Sequence, residues 1–300
     1  MGDYMSRINP YENLLLSITR YLKLKKYSLG DIDKLLKEVP KRWEKFSDVV
    51  LIPSTSFRDQ EWETHEEEIW KIIAESLEVK RVGKIGEIIG EKRESTVEIL
   101  YGDNDWVIRK ENGIKYGYHL TECMFSSGNI NERRRMGEII TKNEIVVDLF
   151  CGIGYYTLPI LVKNKVKHIY SCEWNNNAIN ALKFNLENND VTDKCTIVEG
   201  DNRLTTDKLV NIADRIILGL LPSAENSYDI ALKCLKNSGG ILHIHGLAPS
   251  NNHQKLVSET TERLEKLNLK YKVKRIGINK IKSYAPHWDH LVLDIVLVKL

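Results

Sequence analysis

The 300-residue sequence predicts an α/β protein, with a doubly wound, mostly parallel sheet in its C-terminal part and a smaller α+β region ahead of it. Three observations carry this. From residue 144 onward, strand-like and helix-like stretches alternate regularly. The first of these strands, in VVDLFCGIGYYTLPI (146–160), ends in an aspartate, breaks into glycines and restarts as a helix. The last two strands have no helix between them, and a link that short forces an antiparallel pair.

Residues 1–60 read as amphipathic pieces. YENLLLSITRYLKL places Leu15, Ile18 and Leu22 on one helical face, and GDIDKLLKEVP is a second short helix that stops before Pro40. DVVLIP (48–53) is a strand. THEEEIWKIIAESL (64–77) is a helix with Thr64 as its N-cap and acids in its first turn. Short strands follow in STVEILYG and DWVIRKENGIKYGYHL, parted by Gly-Asp-Asn and Glu-Asn-Gly turns. NERRRMGEII (131–140) is a helix leading into the second region. There the strands are 145–149, 168–172, 195–198, 214–219 and 240–245, the helices 155–163, 175–187, 225–236 and 252–267, and the closing strands lie near 271–282 and 290–298. The resulting division is a helical and strand segment over 1–60, a small α+β domain over 61–125, and a Rossmann-like domain over 126–300.

Composition excludes several classes. A hydrophobic fraction of 42% is ordinary for a globular chain, and no run of about 18 apolar residues marks a membrane span. MGDYMSRINPYENLLL places charges and a proline before any apolar stretch, unlike a signal peptide. Gly2 and Ser6 match a myristoylation pattern on paper only. The five cysteines are scattered and odd in number, which fits a reducing, cytoplasmic setting without disulfides or zinc. No spacing of His, Asp or Glu implies a metal. The net charge is +2 and neither half of the chain is a polycation, so any nucleic-acid contact is local.

The glycine turn asks for a ligand. Glycines let backbone approach closely, and the following helix offers free N–H groups. Leu158 stands where a dinucleotide fingerprint has its third glycine, which argues against a pyrophosphate and for a smaller molecule. Glu173 closes the second strand, 21 residues after Gly152, where an acid accepts from ribose hydroxyls; the alternative is an acidic N-cap. Asp201 and Asn202, after the third strand, suit an adenine amine and ring; the alternative is an Asp-Asn turn. All three places fall on the carboxyl edge of one sheet, where open α/β folds bind ligands.

A Rossmann-like sheet closed by an antiparallel hairpin is the architecture of class I S-adenosylmethionine enzymes. VVDLFCGIGYYTLP, SCEWNNNAINALKFNLENN, EGDNR and ADRIILGLLPS further resemble the transfer-RNA enzymes that act on guanosine 37. Within that group, MFSSGNINERRRM, GGILHIHG and KSYAPHWDHLVLDI resemble the wybutosine-synthesising aminocarboxypropyltransferases. The likeness covers about residues 90–300, with DVVLIPSTSFRDQEW as an N-terminal trace. The related guanine-37 N1-methyltransferases carry Asn-Leu-Pro-Pro-type residues where this chain has LGLLPS (218–223).

The resemblance implies transfer of the 3-amino-3-carboxypropyl arm of S-adenosylmethionine to carbon 7 of 4-demethylwyosine at position 37 of phenylalanine tRNA, releasing methylthioadenosine. The alternative is N1-methylation of guanosine 37. Ser126 and Arg133 stand at cofactor positions of that family, and Arg133 can supply a cation for the methionine carboxylate; without the family, it reads as a solvated charge. The implied cofactor set is completed by Asp148, Phe150, Gly152, Gly154, Glu173, Trp174, Asp201, Asn202 and Leu218. No catalytic residue is fixed; Pro222 and Ser223 in the loop and His245, read as ending the fifth strand beside His243, are the candidates. RNA-contact candidates are 81–93, 133–135 and 269–284, the last being equally an edge strand guarded by lysines. Tyr155, Tyr156, Trp174 and Trp288 are possible walls of a base slot.

Overall fold

A computed structural model describes residues 9–86, 90, 95–163, 165–267 and 270–300. The chain divides into two compact units.

Unit 1 takes its described residues from the stretch up to Arg109 and from His119–Met124. Helix α1 (Pro10–Leu24) starts where Asn9 accepts the Tyr11 N–H and Pro10 presets the first turn. Its buried stripe is Leu14, Ile18 and Leu22, an i, i+4, i+8 row; Leu15 lies at the edge of the stripe. Helix α2 (Leu29–Leu36) is capped by Ser28. Strands β1 (Glu44–Phe46) and β2 (Val49–Pro53) lead to a 3-10 turn over Gln60–His65, capped by Asp59, and then to α3 (Glu66–Ser76). Thr64 is therefore inside that turn and not a helix cap. Strands β3 (Arg81–Ile85) and β4 (Glu98–Tyr101) complete a sheet ordered β1-β2-β3-β4. The sequence pattern predicts neither β1 nor β3.

Strands β5 (Trp106–Glu111) and β6 (Ile114–His119) form a two-stranded sheet, of which Lys110–Tyr118 belong to unit 2. The rest of unit 2 is residues 125–300. It runs α4 (Ile130–Ile139), β7 (Ile145–Asp148), α5 (Thr157–Val162), β8 (His168–Glu173), α6 (Asn176–Asn188), β9 (Cys195–Glu199), α7 (Asn202–Thr205), β10 (Arg215–Leu218), α8 (Tyr228–Cys234), β11 (Gly239–Pro249), α9 (Gln254–Leu267), β12 (Tyr271–Ala285) and β13 (Trp288–Lys299). The sheet order is β12-β13-β11-β10-β7-β8-β9. The five strands from β11 to β9 are parallel, and β13 and β12 close the sheet antiparallel. Val147, Leu149, Ile216, Leu218, Leu242, Ile244, Leu293 and Ile295 belong to the core that holds these strands.

The strand order reverses direction at β7, which has β8 on one side and β10 on the other. Such a switch point opens a crevice at the carboxyl ends of the strands. Strand β11 runs on to Pro249, so His243 and His245 lie inside it and do not end it.

Candidate cofactor site at the carboxyl edge of the sheet

The turn after β7 is built on Asp148. Its carboxylate accepts the Phe150 N–H at 3.4 Å and the Thr157 hydroxyl at 3.0 Å, and Thr157 Oγ1 also meets Ser171 Oγ at 2.8 Å. The Asp148 side chain is wholly buried, and burial pushes its carboxyl up to about 7. Asp148 thus shapes the turn from below. Gly152 and Gly154 have φ of +55° and +99°, in the left-handed region that favours glycine. A Cβ on Gly152 would fall 2.4 Å from the Tyr155 ring, and one on Gly154 2.9 Å from Leu158 and Leu182.

Glu173 is the hinge of the site. Oε2 accepts the Gly152 N–H at 2.8 Å, and Oε1 accepts the N–H groups of Trp174 at 3.0 Å and Asn175 at 2.9 Å. The cap of α6 is Asn175, which accepts the Asn177 N–H, so Glu173 is not the helix cap. Burial raises the Glu173 pKa, and the three N–H bonds oppose that rise. Each carboxylate oxygen has two lone-pair directions, so Oε2 keeps acceptor capacity for a hydroxyl. Trp174 and Phe150 are half-buried beside it.

Asp201 caps α7 by accepting the Arg203 N–H at 2.9 Å and is bound by the Arg203 guanidinium, which lowers its pKa. Asn202 is buried, and both ends of its amide are engaged. Nδ2 donates to the Leu149 carbonyl at 2.8 Å and Oδ1 accepts from Ser227 Oγ at 2.9 Å. Its side chain ties β9's end to β7's end, so both ends of the amide are taken up within the fold. Leu218 is fully buried at the end of β10, where Gly219 lies against Tyr156.

Arg133 differs from both readings of the sequence. It is 1% exposed, and its Nε and Nη2 donate to the two oxygens of Glu111 at 2.5 and 2.6 Å. Nη1 donates to the Ser126 carbonyl at 2.9 Å, and the guanidinium lies 4.5 Å from the centre of the Phe125 ring. Its charge is already balanced. What it fixes is the backbone at Ser126. Of the Arg133–Arg135 run, Arg135 is bound by Glu132 and Asp294, and Arg134 alone is exposed. The run is therefore not a basic patch.

The catalytic candidates divide. Pro222 and Ser223 are exposed in the loop after β10, with Ser223 Oγ accepting the Glu225 N–H. His245 is 1% exposed, its Nδ1 is 3.0 Å from His290 Nε2, and it packs on the Tyr156 ring at 5.1 Å. Burial drives the His245 pKa well below its ordinary value and that of His290 to about 4, so both are neutral at pH 7. His243 is bound between Asp294 and Arg215. Tyr156 is buried and Tyr155 half-buried, whereas Trp288 is 42% exposed at the start of β13.

Two residues that position the site went unread in the sequence. Asn185 is fully buried in α6, where its Oδ1 accepts the Gly117 N–H at 2.5 Å and its Nδ2 donates to the Ile153 carbonyl at 3.0 Å. One turn on, Asn189 exchanges hydrogen bonds with the Lys115 backbone at 2.9 and 2.7 Å. The i, i+4 asparagines of ALKFNLENN are the signal that could have found this seam between β6, α6 and the glycine turn.

The edge thus offers acceptors for hydroxyl and amine hydrogens at successive strand ends, beside a glycine turn too tight for side chains. That acceptor set fits an adenosine, and the sheet around it is that of the class I S-adenosylmethionine-dependent transferases. Residues 107–276 match the TRM5/TYW2 methyltransferase domain, and residues 27–105 match the TYW2 N-terminal domain. The chain is 43% identical over 96% of its length to tRNA wybutosine-synthesizing protein 2/3/4 of Arabidopsis thaliana, of which it spans 29%. It is 34% identical over 96% of its length to the tRNA wybutosine-synthesizing protein 2 homolog of Bos taurus, of which it spans 77%. Among solved structures, P. horikoshii TYW2 in complex with MeSAdo is 33% identical with a TM-score of 0.77, covering 94% of this chain and 98% of that one. M. jannaschii TYW2 in complex with AdoMet is 28% identical with a TM-score of 0.68, covering 86% and 100%. The chain belongs to the TYW2 family of tRNA wybutosine-synthesizing proteins.

Proposed function

We propose that this protein transfers the 3-amino-3-carboxypropyl group of S-adenosylmethionine to carbon 7 of 4-demethylwyosine at position 37 of tRNA-Phe. The observation that carries this reading is the match, over nearly the whole of both chains, to a TYW2 solved with MeSAdo, together with the acceptor set that this chain presents at the carboxyl edge of its own sheet. MeSAdo, read as methylthioadenosine, is what S-adenosylmethionine leaves when the arm, and not the methyl, departs.

Bound at this edge, S-adenosylmethionine supplies an electrophilic carbon on a sulfonium, so that one C–C bond forms to the base, the S–C bond breaks with its electron pair kept by sulfur, and the base releases one proton. The chain's own residues bind and orient. Glu173 Oε2 takes the ribose hydroxyls. Asp201 and the main chain at Asn202 take the adenine. Gly152 and Gly154 let the methionyl part lie against backbone. The loop 218–223 brings Leu220, Leu221 and Pro222 to the acceptor side without an amide or acid, which suits a reaction governed by orientation. For tRNA we assign two surfaces: the region of residues 61–125, and the edge strand β12, where Lys272, Lys274 and Arg275 are exposed.

The test uses tRNA carrying 4-demethylwyosine and S-adenosylmethionine labelled either in the methyl or in the carboxyl carbon. Carboxyl label in the tRNA, with methyl label released as methylthioadenosine, is the expected result. Methyl label in the tRNA would assign methyl transfer instead.

A further inference from the structure

The C-terminal hairpin outreaches the sheet that it closes. Strand β10 ends at Leu218, opposite Ile244 of β11, but β11 continues to Pro249 with β13 and β12 beside it. The extra residues carry this tongue about 17 Å past the end of β10. Its tip is braced. Pro286 and His287 make the turn, where proline fixes its own φ and His287 has φ +65°. The Ser250 N–H donates to the His287 carbonyl at 2.9 Å, which ties the turn to the end of β11. Asp289 is 0% exposed and is bound by Lys280 and His253 at 2.8 Å each, and the Ser283 hydroxyl donates to it at 3.3 Å.

On this braced tip two large rings face water. Tyr284 is 48% exposed and Trp288 42%. Tyr284 is the extra residue where β12 bulges between Ser283 and Ala285, and a bulge re-aims a side chain. Trp288 stands between Ala285 and Pro249 in register, and the two residues after it, Asp289 and His290, are buried while its own ring is not. Exposed rings on a fixed support suit a partner with flat apolar faces, and two features favour RNA. Lys272, Lys274 and Arg275 are exposed along the same hairpin, the charge that phosphates need. The tongue is also continuous with the cofactor edge: His290 meets His245, which packs on Tyr156, and Lys282 of β12 meets Ser126. A paired base keeps its faces inside the stack, so rings of this kind take unpaired bases.

We propose that Tyr284 and Trp288 form a stacking platform for unpaired bases of the anticodon loop that carries the target nucleotide. This deepens the function proposed above and rests on it. Anisotropy of labelled RNA tests it on the full chain, with an anticodon stem-loop and a duplex of the same length, at about 50 and 200 mM salt. Trp288→Ala and Tyr284→Ala should each weaken stem-loop binding about ten-fold, the loss of one stacked base. The factor should be the same at both salt concentrations, because no phosphate contact is removed. Duplex and methylthioadenosine binding should stay within about two-fold of the parent, and Trp288→Phe should keep most of the stem-loop affinity. Unchanged stem-loop affinity in either alanine variant, or an equal loss for stem-loop and duplex, would overturn the platform and leave the transfer reaction intact. A parent protein that binds neither RNA would overturn both.

Discussion

Asp148→Asn makes the ionisation of a buried acid measurable. The Asp148 carboxyl is 0% exposed and titrates near 7 in the folded chain, against 3.8 as its ordinary value. Because the folded pKa is the higher one, the folded state holds its proton longer than the unfolded chain does. The stabilising contribution is complete below about pH 4 and is lost as pH rises through 7. Between pH 5 and 7 the loss starts at about 1.4 kcal/mol per pH unit and halves as pH reaches the folded pKa, or about 2 kcal/mol in all. Asparagine keeps the shape and cannot ionise. Its carbonyl can accept the Phe150 N–H, and its amide can donate to Thr157 Oγ1, which then donates to Ser171 Oγ. All other titrations are common to both proteins and cancel in the difference. Urea unfolding followed by circular dichroism at pH 5, 6 and 7 should show the variant gaining about 2 kcal/mol on the parent across that range. A difference that stays flat within about 0.5 kcal/mol would show that the carboxylate is stabilised in place, and would refute the account of the turn as built on a neutral acid.

Two other substitutions test how the site is held. Asn185→Ala strands the Gly117 N–H and the Ile153 carbonyl in a buried place, so it should cost about 1–3 kcal/mol in denaturant unfolding and weaken methylthioadenosine binding through the glycine turn. Arg133→Met leaves Glu111 as a buried, unpaired carboxylate and should cost about 3–5 kcal/mol, most of which the double variant with Glu111→Gln should recover. If the double variant is no more stable than the single one, Arg133 does more than balance Glu111.

The parallel sheet was legible because each βα unit repeats one pattern, an apolar run, a break and an amphipathic stretch, and errors in one unit do not spread to the next. Unit 1 was harder to read. Strands β1 and β3 are three and five residues long, and β3 begins with Arg81, whose guanidinium is folded onto Asp48 and the Trp106 carbonyl. Its basic spelling suggested a surface patch, because sequence shows a charge but not its partner. The same reason explains Arg133. The acid that neutralises it, Glu111, lies 22 residues away on a hairpin, and no local period links the two.

The site divides along the same line. Gly152, Gly154, Glu173 and Asp201 were readable because what they do depends on backbone position: a turn that excludes side chains, and acids that follow strand ends by rule. Residues that work through tertiary contact were not. His245 looked like a strand-end base, yet strand β11 continues four residues beyond it to Pro249, and pairing with His290 buries it. In the same way, the contact of Lys282 with Ser126, 156 residues earlier, follows from the antiparallel closure of β12 on β13, which sets Lys282 opposite His290. A reaction that selects among three carbons of one sulfonium depends on such long-range placement more than on any local motif. The glycine turn and Glu173 suit any S-adenosylmethionine enzyme of this fold, whereas the choice of carbon requires groups that hold the arm. The determinants of group choice in the proposed reaction should therefore lie outside the glycine turn and Glu173.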